Sequence, residues 1–188
     1  YYKNHGPAAG TSLAHPHCQL LGLPMIPLDT RLRIEEARRS IDTLSACPYC
    51  LMLEQEVKHR RRLVAENQLF VAFIPYAANS PYHIWIVPRL HRPSFLAVGR
   101  DELARLAEIM RVVFGKLYHG LNDADFNYNI RSAPFRDQNS DYLHWYVSVV
   151  PRVTKTAGFE LGSGMYVNPA LPEDSAAFLR DVDPGEPM

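Results

Sequence analysis

Two imidazoles and a carboxamide occupy alternate positions in His15-Pro16-His17-Cys18-Gln19, directly after a loop of glycine and hydroxyl residues, Gly6-Pro7-Ala8-Ala9-Gly10-Thr11-Ser12. A neutral imidazole, with an ordinary pKa of about 6.5, is a competent nucleophile at neutral pH, and a phosphorylated imidazole is again a good leaving group. Those two properties are what a two-step group transfer to and from phosphorus requires. Ser12, the backbone amides around Gly10 and the side chain of Gln19 are candidates to hydrogen-bond the non-bridging oxygens, where charge must be accommodated in the transition state. The plainer reading of His-x-His is a strand with two surface histidines, and the adjoining loop is what favours chemistry.

A second group is spread more widely. Cys47, Cys50, His91 and His144 offer two sulfurs and two imidazole nitrogens, a set suited to tetrahedral Zn²⁺, and four protein ligands would close the shell and make the site structural. A redox-active Cys-x-x-Cys pair and two buried free thiols are the alternatives. No βαβ pattern surrounds the pair, which argues against the redox reading.

The elements that must carry these groups follow from periodicity. Residues Leu13 to Leu23 read as an extended strand, which would put His15, His17 and Gln19 on one face. Asp29 to Leu44 reads as a connecting helix, with Ile34, Ala37, Ile41 and Leu44 three and four apart. The Cys pair opens a short helix, followed by strands near Arg62 to Glu66, Phe70 to Ile74 and Tyr82 to Val87. Asp101 to Leu121 is the clearest helix, its stripe formed by Leu103, Leu106, Met110, Val113 and Leu117. Two more strands are expected around Asp125 to Arg131 and Tyr142 to Val150, which makes the class α+β. Beyond Thr154 the chain reads as an arm with little core of its own, carrying a helix from Pro172 to Asp181. On the last strand, His144, Tyr146 and Ser148 echo the spacing of His15, His17 and Gln19. His59, His83 and His119 receive no catalytic role: a solvated basic run, an apolar strand and a helix end account for them.

The bulk numbers narrow the ligand. The chain has 188 residues, 47% of them hydrophobic, and 20 acidic residues balance 20 basic ones. Balanced charge argues against a nucleic-acid surface and for a small ligand. No apolar run approaches the roughly 20 residues that span a bilayer, and the start Tyr1-Tyr2-Lys3-Asn4 has neither a signal-peptide core nor a methionine. A cytoplasmic protein whose front half is missing from the sequence is the expectation.

The run Asn4-His5-Gly6-Pro7-Ala8-Ala9-Gly10-Thr11-Ser12 followed by His15-Pro16-His17-Cys18-Gln19 resembles the active-site segment of galactose-1-phosphate uridylyltransferases, within the histidine-triad superfamily. That segment reads approximately Asn-x-Gly, small residues, Gly-x-Ser, then His-Pro-His-Gly-Gln, and Cys18 departs from it where glycine is usual. The resemblance implies that His17 attacks the α-phosphorus of a UDP-sugar, that Asn4, Gly10, Ser12 and Gln19 meet the phosphates, and that His15 is a metal ligand. Glutamine at the third position points to transfer, because hydrolytic relatives carry His-x-His-x-His. Weaker similarity continues through Cys47-Pro48-Tyr49-Cys50, Arg62 to Asn67, Ile86 to His91, Ala133-Pro134-Phe135 and His144-Trp145-Tyr146. By the same resemblance the chain holds the end of one histidine-triad-like unit with its nucleophile strand (1–28), a connecting helix (29–45), a complete second unit (46–152) and an arm (153–188). Tyr146 stands at the position matching the nucleophile, so the second unit should lack catalysis and also the second metal that some relatives bind there. Lys155, Gly158, Phe159 and Glu160 resemble an arm segment that reaches the partner's site in a homodimer; an ordinary glycine-rich tail reads equally well. The implied reaction is uridylyl exchange between UDP-glucose and a hexose 1-phosphate. An ADP-sugar phosphorylase, a dinucleotide hydrolase and a non-catalytic nucleotide-binding fragment are the rivals.

Overall fold

In a computed structural model of the chain, which describes residues 1–13 and 15–186, the apolar alternation resolves into a single antiparallel sheet. Its strands are β1 (Tyr2–His5), β2 (Leu63–Glu66), β3 (Phe70–Phe73), β4 (Ile84–Pro88), β5 (Phe126–Arg131) and β6 (Tyr146–Pro151). They lie in the order β1-β5-β6-β4-β3-β2. Five helices complete the fold: α1 (Leu28–Leu44), α2 (Pro48–His59), α3 (Arg100–Gly120), α4 (Gly158–Ser163) and α5 (Pro172–Asp181). The α+β class expected from the sequence is the class observed.

Both faces of the central strands are covered, so those strands are apolar at nearly every position. Phe70, Ala72, Ile84, Ile86, Val147 and Val149 face α3, which buries Leu106, Ile109, Val113 and Leu117 against them. The alternate residues Val71, Phe73, Val87 and Tyr146 face α2 through Leu53. Helix α1 lies beside α2 and buries Ile34 and Ala37 against Leu143. Asp101 and Glu102 in the first turn of α3 complement the helix dipole, and Glu102 returns a carboxylate to the Gly99 amide.

The structure corrects three expectations. The described residues of 11–27 form no strand; a single bridge, Tyr2 to Gln19, is their only ladder contact, and Ala14, inside the expected strand, lies outside the described residues. Among the described residues nothing pairs with the far side of this segment, and an extended chain without ladder partners has little to hold it. Tyr2–His5, where the sequence marks no strand, supplies β1, an edge strand on β5. The arm does contribute core: Ala176 and Leu179 of α5 are fully buried against α3 and β2. Lys116 fastens that helix by donating from Nζ to the carbonyls of Leu179 and Arg180, both at 2.9 Å, and of Val182. Among the described residues, no helix is long and apolar enough to cross a membrane.

Candidate active site and metal centre

The loop after β1 is built by glycine. Gly6 has φ +84°, and a Cβ there would fall 1.8 Å from Asp125 Oδ1. Asp125 in turn accepts the Ala8 amide. The chain makes a short 3-10 turn over Pro7–Ala9 and closes at Gly10 in the left-handed region, φ +83°. Asn127 pins both ends of this loop, since its Nδ2 donates to Asn4 Oδ1 and to the Ala9 carbonyl, each at 2.8 Å. Asn4, Ser12 and His15 then line one cavity of about 420 Å³.

The donor and acceptor state of each side chain follows from its partner. His17 Nδ1 lies 2.8 Å from the His15 carbonyl. A carbonyl oxygen only accepts, so Nδ1 carries the proton and Nε2 carries the lone pair. Gln19 Oε1 accepts from Tyr2 Oη at 2.7 Å, and Asn4 Oδ1 accepts from Asn127. In both carboxamides the oxygen is engaged and the NH₂ is left as a donor, the polarity that phosphate oxygens need. Cys18 points to the Tyr128 hydroxyl at 3.5 Å, and hydrogen bonds from Tyr1 and then Tyr128 lower its thiol pKa. His17 and Gln19 do not line the cavity that holds Asn4, Ser12 and His15.

The second constellation comes together closely. Cys47 is the N-cap of α2 and Cys50 sits within its first turn; His91 follows β4, and His144 precedes β6. The Trp145 amide donates to the Arg92 carbonyl at 2.8 Å, which brings the two histidine segments side by side. The ligand atoms of Cys47, Cys50, His91 and His144 all lie within 4.8 Å of one another. Both imidazoles turn Nδ1 toward Cys50 Sγ, at 3.3 Å for His91 and 3.4 Å for His144. His91 Nε2 donates outward to the Ser140 carbonyl at 3.3 Å, leaving Nδ1 free to bind. A hydrogen bond from Cys50 is the largest cause that brings the Cys47 thiol down to about 4, and the same bond pushes Cys50 up. One proton is thus shared where a cation would let both sulfurs ionise. The donor set and its convergence fit a metal ion. His15 is not part of this group.

The arm residues lie elsewhere. Lys155 and Glu160 line a separate polar cavity, and Gly158 and Phe159, in α4, are exposed. Four contributors were not singled out in the sequence: Asn127, Asp125, Arg33 and Arg131. The pair Asn127 and Asn129 in a strand, where asparagine is disfavoured, was the available signal.

A six-stranded antiparallel sheet with one long helix across it, and a His-x-His-x-Gln segment at its edge, is a histidine-triad-like architecture. A solved zinc-bound histidine triad family protein from Mycobacterium smegmatis shares that fold, with a TM-score of 0.50 at 19% identity over 72% of this chain and 91% of that one. The ADP-glucose phosphorylase of Arabidopsis thaliana is 32% identical over 183 residues, 96% of this chain and 51% of the relative. Its solved structure with bound ADP-glucose matches with a TM-score of 0.89 over 97% of this chain and 58% of that one. The galactose-1-phosphate uridylyltransferase of Thermotoga maritima is 31% identical over 191 residues, 97% of this chain and 59% of the relative. No family model matches the chain. The chain is thus similar over nearly its whole length to galactose-1-phosphate uridylyltransferases and to an ADP-glucose phosphorylase, and it spans between half and three-fifths of the length of these curated relatives.

Proposed function

We propose that the protein transfers a nucleotidyl group from a nucleotide sugar to a second phosphate-bearing substrate through a covalent His17 intermediate. The observation that carries the reading is the set of side-chain polarities: a lone pair on His17 Nε2, and amide NH₂ groups freed on Asn4 and Gln19. In the first step Nε2 attacks the α-phosphorus; the P–N bond forms, and the bond to the bridging oxygen breaks, releasing glucose 1-phosphate. As the imidazolium forms, its Nδ1–H goes on donating to the His15 carbonyl oxygen, which stabilises the positive ring. In the second step a phosphate oxygen of the acceptor attacks the same phosphorus and the P–N bond breaks, which restores neutral His17.

With UDP-glucose as donor and a hexose 1-phosphate as acceptor this is uridylyl exchange. With ADP-glucose and inorganic phosphate it is phosphorolysis, a reading favoured by the 32% identity to an ADP-glucose phosphorylase. Cys47, Cys50, His91 and His144 would hold a structural Zn²⁺, and His15 would be a ligand of a second metal. Residues 1–28 close a preceding unit, 29–45 connect, 46–152 form the second unit, and the arm from 153 carries Lys155, Gly158, Phe159 and Glu160 to the site of a partner subunit in a homodimer.

The test is covalent trapping in the natural protein, with UDP-glucose and ADP-glucose each labelled at the α-phosphate. One acid-labile nucleotidyl group per chain on His17 is expected, and the donor that labels faster names the base. Failure of both donors to label folded, metal-loaded protein would overturn the reading.

A further inference from the structure

The sheet face that carries Gln19 also carries a cavity to which the proposed transfer assigns no role. The register sets the two side by side: Gln19 pairs with Tyr2, Tyr2 with Asn129, and Asn129 with Ser148. Gln19 and Ser148 therefore flank the Tyr2–Asn129 pair as mirror positions of two related units, each two residues beyond His17 and Tyr146. On the Ser148 side lies a cavity of about 410 Å³, walled partly by the arm.

Its charge is unbalanced. Arg33, Arg131, Arg152 and Lys155 line it. Glu160 lines it too, and Asp29 accepts from Arg33 at 3.1 Å and from Arg131 at 2.9 Å. Lys155 and Glu160, which the proposed homodimer would carry to the partner subunit, cancel each other, and Arg33, Arg131 and Arg152 against Asp29 leave two positive charges over with or without them. Arg152 makes no ion pair among the described residues, while its backbone is held to Asp125.

Hydrogen-bonding capacity is left over as well. Trp85 Nε1 donates to His83 Nε2 at 3.2 Å, and Ser148 Oγ lies 2.8 Å from the same nitrogen. An indole N–H only donates, so His83 carries its proton on Nδ1. That Nδ1 is buried with no partner among the described residues, as are Nε of Arg131 and Nε of Arg152. Buried donors without acceptors are costly, and a native site that keeps three of them around one cavity is built to receive acceptors. Burial, with Arg33 and Arg131 close by, brings the imidazole of His83 down to about 4, so the ring stays neutral and is a donor only through Nδ1. A phosphate dianion carries acceptors alone and two negative charges, which matches both surpluses.

We infer that this cavity is a second phosphate-binding site, on the unit that lacks a nucleophile, taking inorganic phosphate or the phosphoryl end of a sugar phosphate. Tyr166 lines the same cavity and offers a ring face to a sugar. Tyr146 stands where a nucleophile would, its hydroxyl accepting from Arg33 and its ring stacked on Trp85, so a ligand bound here is held and not transformed.

The experiment follows the His83 ring by nitrogen-resolved NMR while inorganic phosphate, and separately glucose 1-phosphate, is added to the protein. Saturable movement of the His83 resonances is expected with both. Tighter binding of glucose 1-phosphate makes the sugar phosphate the ligand; equal binding makes it phosphate itself. Arg152→Gln should weaken binding about tenfold or more, the effect of one charge-assisted hydrogen bond, with trapping on His17 unchanged. His83 resonances that stay fixed at tens of millimolar phosphate would overturn the site, and so would undiminished affinity in a folded Arg152→Gln protein. The wild-type titration reads the answer even if that variant does not fold. Loss of His17 labelling with the His83 response intact would overturn the transfer reading alone.

Discussion

His15-x-His17-x-Gln19 and His144-x-Tyr146-x-Ser148 share a spacing and differ in nearly everything else. The second lies at and within β6, between β5 and β4, with 3%, 2% and 4% of the three residues exposed. Tyr146 stacks on Trp85 with ring centroids 4.2 Å apart, and its hydroxyl accepts from Arg33. The first keeps one ladder contact, through Gln19, and leaves His15 exposed. A ladder on both sides converts a chemistry-bearing pattern into structure: a buried histidine of the Cys47–Cys50–His91–His144 cluster, a packed tyrosine and a serine under a histidine. The segment with a ladder on one side keeps a free imidazole nitrogen. Strand formation here is a property of neighbours more than of the sequence itself.

The sharpest way to break this contrast is to exchange the roles. His17→Ala should lower turnover of a nucleotide sugar by about 10⁴-fold or more, the scale of losing a covalent nucleophile. Tyr146→Phe should keep turnover within a few-fold, because the buried phenol touches Arg33 and not the reacting centre. Equal losses in the two variants, measured as kcat, would show that the second unit takes part in the chemistry.

The next effect is in stability. Cys47→Ser, or chelation, should release the metal from the β6 side and cost several kcal/mol, since structural metal binding is folding free energy. For a chain of this size that is roughly 10 °C in Tm. Metal content per chain and thermal melting check it together. An unchanged melt with metal retained would mean that the quartet holds nothing.

Gly6→Ala tests the other side. The substitution puts a side chain at φ +84° and drives its Cβ into Asp125. A cost of about 2 to 3 kcal/mol is expected, strain plus displacement of the carboxylate that holds the Ala8 amide. Because β1 is an edge strand with a loop attached, chemical denaturation should show this loss while metal content stays the same. A fall in metal content would join the two regions that the comparison separates.

Much of this contrast could be read before any coordinates. Strands near Phe70, Ile84, Phe126 and Tyr146 announced themselves by apolar runs, α3 by its stripe, and the quartet by residue type, with ligands as far apart as Cys47 and His144. What could not be read was decided by pairing. Tyr2 to His5 carries polar residues and becomes a strand only because β5 offers an edge. Leu13 to Leu23 has strand-like composition and stays irregular where described because only Tyr2 gives it a ladder contact among the described residues. The docking of α5 depends on Lys116 reaching three carbonyls at its end, a contact that no local pattern encodes. His83 looked like a bland strand residue, and only the convergence of Arg33, Arg131 and Arg152 gave it a cavity to serve.

That histidine supplies the smallest effect and the finest test of the two units. Folding brings His83 from the ordinary value of 6.5 down to about 4, mainly by burial and then by Arg33 and Arg131. In the unfolded chain it takes up a proton near 6.5, so between about pH 6.5 and 4 the unfolded state binds more protons and stability rises with pH. The contribution is complete above the unfolded value and is lost as the solution is acidified toward the folded one. Between pH 7.5 and 5, in phosphate-free buffer, the loss from this group is about 2 kcal/mol. His83→Gln cannot titrate, so the difference in stability between wild type and variant should shrink by that amount over the same interval. Carboxylates common to both proteins cancel from the difference. Adding phosphate should flatten the wild-type slope, because an anion beside the ring favours its protonated form and brings the folded value back toward the unfolded one. A difference independent of pH, by denaturant titration at each pH, would mean that His83 is not held neutral and that Arg33 and Arg131 do not press on it.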